Sequence, residues 1–127
     1  MEEELEKVSA ESLRNYNSGN FEKAEAEYTE LLKKYQECGN DKVLALIYNN
    51  RGHARYMQVE FYRAKDDYDE AIRLDPDLGT AYYNRGTILY RMGSYKEALP
   101  DFQRCVDIQP KNEEFQEGLK HCQLCIL

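Results

Sequence analysis

The chain has 127 residues, 42% of them hydrophobic and 32% charged, which is the balance of one globular domain and excludes a disordered segment. Lysine and arginine number 17 against 24 aspartate and glutamate, a net charge of −7 that disfavours nucleic acid, because nucleic-acid binding depends on phosphate neutralisation. No apolar stretch approaches the roughly 20 residues that cross a bilayer, and the start Met1 to Glu4 lacks a secretory signal, so we expect no membrane and a cytoplasmic location.

The first predicted pair of helices is the most divergent part of the pattern. Its first helix is predicted from about Glu3 to Ser18, and its second helix starts near Phe21, after a turn at Gly19. Apolar residues recur there at intervals of three and four, which is the spacing of one helical face. We therefore expect two antiparallel helices.

The connection to the second pair is longer than the one that follows it. The distance from Ala24 to Ala64 is 40 residues, six more than the period of the remaining chain. We expect the extra residues between Glu37 and Lys42, where they either lengthen the preceding helix or form a projecting loop. Since no proline ends this helix, we expect a left-handed C-terminal cap at Gly39, and Asn40 or Asp41 at the start of the next helix.

The second and third pairs are two copies of one pattern. A fixed period of this length is the signature of a repeat array, and the intervals of three and four within each copy predict helices, since a strand would need alternation. The matching residues are each 34 positions apart: Tyr48 and Tyr82, Asn50 and Asn84, Arg51 and Arg85, Gly52 and Gly86, Tyr56 and Tyr90, Ala64 and Ala98, Asp67 and Asp101, Tyr68 and Phe102, Ile72 and Val106, Pro76 and Pro110.

Charged residues of opposite sign recur with this period. Arg51 and Arg85 need partners if their guanidinium groups lie between helices, and Asp67 and Asp101 have the same spacing. We therefore predict that Arg51 pairs with Asp67 and that Arg85 pairs with Asp101.

The turns within the repeats are predicted to differ. In the second pair, helices are predicted over Val43–Gln58 and Phe61–Leu74, with Val59 between them. A β-branched residue is poorly suited to positive φ, so we expect this turn to differ from the glycine turns. In the third pair, Ser94 and Glu97 form a predicted capping box.

A last helix is predicted after Pro110. Asn112 is expected to cap it, and its apolar residues form a stripe that would cover the open face of the third pair. The stripe contains Phe115, Leu119, Cys122 and Ile126.

A 34-residue period with paired helices, a small residue opposite an aromatic one and a closing proline resembles the tetratricopeptide repeat family. The resemblance implies an all-α fold, a right-handed α-solenoid of three helix pairs plus a C-terminal capping helix. In the pattern of that family, Gly52 and Gly86 are the small residues that let two helices approach. The implied boundaries within the single domain 1–127 are repeats at about 5–38, 45–78 and 79–112, and a capping helix at 112–126.

The resemblance also implies a function. In this family the first helices of successive repeats line a concave groove that grips extended peptides, so we expect a non-catalytic adaptor that binds a segment of a partner protein. Asn50 and Asn84 are suited to pair with a bound backbone, or else they tie neighbouring helices together. The expected groove-facing residues are Leu13, Asn17, Asn49, Asn50, His53, Met57, Tyr83, Asn84, Thr87 and Arg91. The alternative is a structural subunit that joins an assembly, or self-associates, through its convex or end faces.

The best-known groove function of the family is a clamp of lysine, asparagine and arginine that holds the C-terminal carboxylates of chaperones. This chain keeps only Asn50 of those residues. The remaining clamp positions correspond to Ser9, Leu13, Thr80 and Asn84. Without the cations a groove binds a dicarboxylate poorly, so we expect no binding of chaperone tails in this way.

No motif predicts catalysis or metal binding. Cys122 and Cys125 form a Cys-x-x-Cys beside His121, but a closed metal site needs four ligands, and a helix C-terminus opposes thiolate formation. We expect these cysteines to pack in the core or lie at a frayed end. With His53 the only other histidine, and no nucleophile motif or phosphate loop, we expect no enzyme activity, metal or cofactor.

Overall fold

The computed structural model describes residues 14–15, 17–37 and 39–127, and all of its regular structure there is helical. Residues 14, 15 and 17 are helical and precede the turn at Gly19. Six helices follow: α1 (Phe21–Tyr35), α2 (Asp41–Met57), α3 (Phe61–Leu74), α4 (Gly79–Arg91), α5 (Tyr95–Ile108) and α6 (Glu113–Ile126). Over the described residues, the predicted all-α fold is confirmed.

The helices stack as a solenoid. Each one packs mainly on the next along the chain, and in addition α2 contacts α4 and α4 contacts α6. Helices α1, α3 and α5 do not pack on one another to a comparable extent. The stack therefore curves towards the row formed by α2, α4 and α6, which is the inner, concave side.

Small residues set the closest approaches between helices, as predicted for Gly52 and Gly86. A Cβ at Gly52 would lie 2.7 Å from Cε1 of Tyr68, and one at Gly86 would lie 3.3 Å from Cε1 of Phe102. A third close approach, which the sequence did not indicate, occurs at Gly118, where a Cβ would lie 2.8 Å from the same Phe102 atom. The interior is therefore built from aromatic rings packed directly on backbone.

The two predicted ion pairs are present and alike. Arg51 donates from Nε to Asp67 Oδ2 at 3.0 Å and from Nη2 to Oδ1 at 2.7 Å. Arg85 makes the same two bonds to Asp101, at 2.8 and 2.7 Å. Each pair is bidentate, the geometry in which a guanidinium group matches a carboxylate. These pairs tie the two helices of each repeat together.

The ion pair of the second repeat belongs to a larger network. Asp67 also accepts a hydrogen bond from Nη1 of Arg55 at 2.9 Å, and Nε of Arg55 donates to Oε2 of Glu25 at 3.0 Å. Burial works to raise the pKa of Glu25, but hydrogen bonds from Arg55 and Gln58 outweigh it and hold that pKa below its usual value. The network links α1, α2 and α3, so it joins one repeat to the next.

The expectation that the turn at Val59 differs from the glycine turns is wrong. Val59 has φ 63°, in the left-handed region with Gly19 at 83° and Gly93 at 80°. The amide that follows each of them donates to the carbonyl five residues back, as from Glu60 to Arg55 at 3.0 Å and from Ser94 to Leu89 at 2.8 Å. This bond is a mark of the Schellman motif. The packing of α2 on α3 therefore imposes a conformation that valine disfavours.

We expect Val59→Gly to raise the free energy of unfolding by about 1 kcal/mol. A left-handed conformation costs an L-residue roughly 1–2 kcal/mol, and the greater freedom of glycine in the unfolded chain offsets part of the gain. Val59 is 71% exposed, so little packing is lost. The matched control is Gly93→Val, which adds a Cβ where no atom lies within 4 Å and should be destabilising by strain alone. Chemical denaturation measures both, and a Val59→Gly variant less stable than the parent would contradict the expectation.

Most of the six extra residues between the first and second repeats lie in α2, the helix that follows the connection. From the sequence, they are expected in the helix before the connection or in a loop. Helix α2 has 17 residues against 13 in α4, whereas α1 has 15 against 14 in α3. The expectation of a longer preceding helix or a projecting loop is therefore largely wrong. The reason is local: Oδ1 of Asn40 accepts from the amide of Val43 at 3.0 Å, so the predicted cap starts the helix early.

Gly39 does not form the predicted left-handed cap, since Gly19 and Gly93 are the only described glycines with positive φ. Its amide donates to the carbonyl of Tyr35 at 2.7 Å, and a Cβ there would lie 2.7 Å from that oxygen. Close approach of backbone to backbone, rather than dihedral freedom, therefore requires glycine at this position.

The predicted capping box at Ser94 is wrong, whereas the cap at Asn112 is confirmed. The Ser94 side chain makes no capping bond. Its amide, which Glu97 would have to reach, already donates to the carbonyl of Leu89. In contrast, Oδ1 of Asn112 accepts from the amide of Phe115 at 3.1 Å.

The predicted stripe of α6 packs on the third repeat. Phe115 and Cys122 are buried, and Leu119 and Ile126 pack on the same cluster. This confirms that α6 covers the apolar face of the repeat before it.

Among the residues described, no helix combines the length and the apolar character needed to span a membrane.

Candidate functional site

The concave row of α2, α4 and α6 forms a groove with two adjoining cavities, which share Tyr83 and Thr87. The first, called here the inner cavity, has a volume of about 220 Å³ and is lined by His53, Tyr56, Tyr68, Tyr83, Asn84, Thr87 and Glu114. The second, the outer cavity, has a volume of about 450 Å³ and is lined by Tyr83, Thr87, Tyr90, Arg91, Tyr95, Phe102, Gly118 and His121. Side chains distant in sequence thus converge on one surface.

Half of the residues expected to face the groove line these cavities: His53, Tyr83, Asn84, Thr87 and Arg91. The structure brings these five together. Asn17, Asn50 and Met57 are exposed but line neither cavity. Leu13 lies outside the described residues. So does Ser9, which occupies one of the clamp positions.

Asn49 is not an accessible groove residue. Its side chain is buried, and Oδ1 accepts a hydrogen bond from Nδ2 of Asn84 at 3.0 Å. This bond ties α4 to α2. Asn84 therefore has the second of the two roles considered from the sequence, that of joining neighbouring helices. Asn50, which occupies the same position as Asn84 one repeat earlier, is exposed. Its amide is therefore the one available to a bound backbone, so we leave Asn49 out of the proposed contacts.

The ring of Tyr83 is held in place between the two cavities. It stacks on Phe115, with ring centroids 5.1 Å apart, and meets Phe102 edge-on at 5.8 Å. Oγ1 of Thr87 donates to the carbonyl of Tyr83 at 2.8 Å. Offset aromatic packing of this kind fixes ring orientation, so the wall between the cavities is preformed.

The inner cavity carries a carboxylate next to neutral groups. Burial lowers the pKa of His53, and the nearby carboxylate of Glu114 offsets part of that effect. Burial, together with the charge of Glu114, raises the pKa of Tyr83. Both side chains are therefore uncharged near pH 7, and Glu114 supplies the negative charge of this cavity.

Three residues of α6 line the cavities although the sequence reasoning did not select them. Glu114, Gly118 and His121 were treated as part of a covering helix. The signal was available, because each lies 34 residues after a residue on the groove-facing side of α4. Extending the period past the last full repeat would have found them.

The cysteines of α6 show no arrangement for chemistry. Cys122 is buried and its thiol donates to the carbonyl of Tyr95 at 3.3 Å, and burial raises its pKa. Cys125 is exposed, with its sulfur 3.4 Å from the hydroxyl of Tyr90. The predicted core position is confirmed for Cys122. Within the described part of the chain, no three His, Cys, Asp or Glu side chains are placed to hold a metal.

Comparison with known proteins gives one consistent family. A family model described as "Tetratricopeptide repeat" matches residues 79–112, and one described as "TPR repeat" matches residues 63–93. Protein unc-45 homolog B of Danio rerio is 30% identical over 113 residues, which are 89% of this chain and 12% of that protein. The chain thus spans only about an eighth of the length of that curated relative.

Solved structures share the fold over nearly the whole chain. The Arabidopsis OM64 TPR domain has a TM-score of 0.85 at 27% identity, and the match covers 94% of each chain. The first TPR of Spaghetti (RPAP3), bound to an HSP90 peptide, has a TM-score of 0.87 at 20% identity, covering 96% of this chain and 94% of that one. At this identity the second likeness shows the fold alone.

Proposed function

The chain belongs to the tetratricopeptide repeat family, and we propose that it is a non-catalytic interaction module that binds a segment of a partner protein in the groove. The observation that carries the proposal is the preformed concave surface, where α2, α4 and α6 leave two open cavities beside each other. A structural neighbour with the same fold is bound to an HSP90 peptide, which supports a protein segment as the occupant.

The chemistry of the lining favours binding over catalysis. The only two histidines of the chain line different cavities. Neither lining contains a serine or cysteine that either histidine would activate as a nucleophile. Tyrosine, asparagine and threonine supply contact area and adaptable hydrogen bonds, which are the features of a recognition surface. We propose a cytoplasmic adaptor, with its partner recognised by side chains of the groove.

The test is affinity capture with a variant that fills the groove. Thr87→Arg places a long side chain between the two cavities, and Gln103→Arg adds the same side chain to an exposed position of α5. We expect the identified prey to be lost from the first variant and retained by the second, with both folded by circular dichroism. Asn50→Ala is the milder companion, because it removes only an exposed amide. Undiminished capture by Thr87→Arg would exclude the groove as the binding surface.

A second candidate function uses another face. Met57, Val59 and Tyr62 are 45%, 71% and 75% exposed around the turn between α2 and α3. Large exposed side chains close together are typical of contact surfaces, so this edge favours a structural subunit of a larger assembly or a self-associating chain. Loss of capture, or of self-association in sedimentation, with Tyr62→Ser but not with Thr87→Arg would support this alternative.

We also propose that the groove lacks a carboxylate clamp. Asn50 is the one clamp residue that the chain keeps, and the described positions of the clamp cations hold Thr80, which is uncharged and exposed, and Asn84, which is bonded to Asn49. In addition, Glu114 places a negative charge in the inner cavity. Titration with the HSP90 peptide SRMEEVD, which the neighbouring TPR binds, should therefore give a Kd weaker than about 1 mM. Micromolar affinity measured by calorimetry would contradict this prediction.

A further inference from the structure

The inner cavity combines a carboxylate with phenol rings, and this composition selects the chemistry of its occupant. We infer that it binds a cationic side chain, lysine or arginine, of the segment that the groove holds. The inference rests on the proposed function and adds to it the chemical class of the recognised residue. It is carried by Glu114, Tyr56, Tyr83 and His53, which reach the cavity from three different helices.

Glu114 has acceptor capacity to spare. Its charge contributes to raising the pKa of Tyr83, so the two groups lie close together, and an ionised carboxylate offers about four acceptor sites. Across the described residues, the ion pairs formed by lysine and arginine go to other carboxylates. A negative charge therefore faces the cavity with its ion-pairing capacity unused.

The rings complete a site for a cation. Tyr56, Tyr68 and Tyr83 line the cavity, but Tyr68 is only 1% exposed, so Tyr56 and Tyr83 are the rings that a bound cation can meet. The face of a phenol ring attracts a cation within about 6 Å of its centroid. The structure shows this for Tyr56, whose ring lies 5.7 Å from Cζ of Arg91. Arg91 is exposed and lines the outer cavity, not the inner one. The ring face thus already accepts a guanidinium group at the border of the site.

Other classes of side chain fit less well. An acidic side chain would meet the like charge of Glu114, which is exposed but lines the cavity, and like charges repel. A neutral apolar side chain would cover that carboxylate without pairing it, and burying an unpaired charge is unfavourable. His53 is neutral because burial lowers its pKa, so it does not oppose a cation.

The experiment uses small blocked amino acids as probes. N-acetyl-lysine methylamide, its norleucine counterpart and its glutamate counterpart are titrated into ¹⁵N-labelled protein, and the amide signals of His53, Tyr83 and Thr87 are followed. The lysine probe should shift these signals to saturation, at least about tenfold more tightly than norleucine, which has the same chain length but no charge. The glutamate probe should leave them unchanged.

Variants assign the effect to one carboxylate. Glu114→Gln keeps the shape of the side chain and should weaken the lysine probe at least about tenfold. Glu113→Gln removes the neighbouring charge of α6, which is exposed like Glu114 but does not line the cavity, and should change the affinity less than about twofold. Arg91→Ala removes a like charge from the border of the site and should tighten binding. Equal affinity for lysine and norleucine, or an unchanged affinity in Glu114→Gln, would overturn the inference.

The two proposals fail in different ways. If Thr87→Arg abolishes partner capture, but the partner segment binds equally well after its lysine and arginine residues are replaced by glutamine, the groove is used and the cation site is wrong. If the lysine probe depends on Glu114 while capture is unaffected by Thr87→Arg, the cation site stands and the proposed function is wrong.

Discussion

Asp67→Ala is expected to lower the free energy of unfolding by about 3–5 kcal/mol, the cost of breaking a buried charge pair from one side. Asp67 is 3% exposed, and it accepts two hydrogen bonds from Arg51 and one from Arg55. Its removal leaves two guanidinium groups between helices without this carboxylate. Urea denaturation followed by circular dichroism measures the loss, which is a large part of the 5–15 kcal/mol typical of a domain.

Two neighbouring substitutions make this prediction specific. Asp66→Ala changes the adjacent but exposed carboxylate of α3 and should alter stability by no more than about 0.5 kcal/mol. Asp101→Ala should cost less than Asp67→Ala, because its partner Arg85 is more exposed and keeps a bond to Asp69 at 3.0 Å. Similar losses for Asp66→Ala and Asp67→Ala would show that the network does not stabilise the fold as argued.

The second large effect concerns the contact between α2 and α3. We expect Gly52→Ala to lower the free energy of unfolding by about 1–3 kcal/mol, although alanine is intrinsically the better helix former by about 1 kcal/mol. The added Cβ would lie 2.7 Å from Cε1 and 2.9 Å from Cδ1 of Tyr68. That ring is buried in the core, so relief requires the two helices to move apart.

Gly86→Ala is the matched control for this overpacking. It stands at the same position of the next repeat, but there the new Cβ would lie 3.3 Å from the nearest atoms, on Asp101 and Phe102. The gain in helix propensity should offset this smaller conflict, leaving stability within about 1 kcal/mol of the parent. Calorimetric melting of both variants decides the matter, and an equal destabilisation would refute the role given to the closer contact.

Interactions that repeat with the period could be predicted from the sequence. Arg51 with Asp67 and Arg85 with Asp101 were paired correctly because both partners recur 34 residues later, and a shared period implies a shared environment. Arg55 could not be placed in this way, because the third repeat has leucine at the matching position. Its bond to Glu25 crosses the irregular junction between the first two repeats.

Local preferences failed where packing opposed them. Valine disfavours positive φ, yet Val59 adopts it because the amide of Glu60 must reach the carbonyl of Arg55 for α3 to pack on α2. Ser94 and Glu97 have the spacing of a capping box, yet no such box forms. The amide of Ser94 already donates to the carbonyl of Leu89 in the preceding turn. In both cases a hydrogen bond required by helix packing outweighs a preference of about 1 kcal/mol.

The candidate site was predictable to the extent that it follows the repeat. His53, Tyr83, Asn84, Thr87 and Arg91, which the family resemblance placed on the groove side, line the cavities. Asn49 was expected to face the groove for the same reason, but it is buried. Its side-chain oxygen accepts a hydrogen bond from Asn84 of the next repeat. The sequence of one repeat does not show such a contact with its neighbour. The contribution of α6 was missed because the period was not extended past the third repeat.

By itself, the sequence determined the helical class, the repeat period, the partners in the two Arg–Asp pairs and the helix that covers the third repeat, because each follows from spacing along one chain. Only the tertiary structure decided which face of each helix stays accessible and which carboxylate enters the groove. Accessibility depends on how closely neighbouring helices approach, and the charge of the inner cavity comes from Glu114, which lines it because α6 packs beside α4. Those are properties of the stack as a whole, and no single helix carries them.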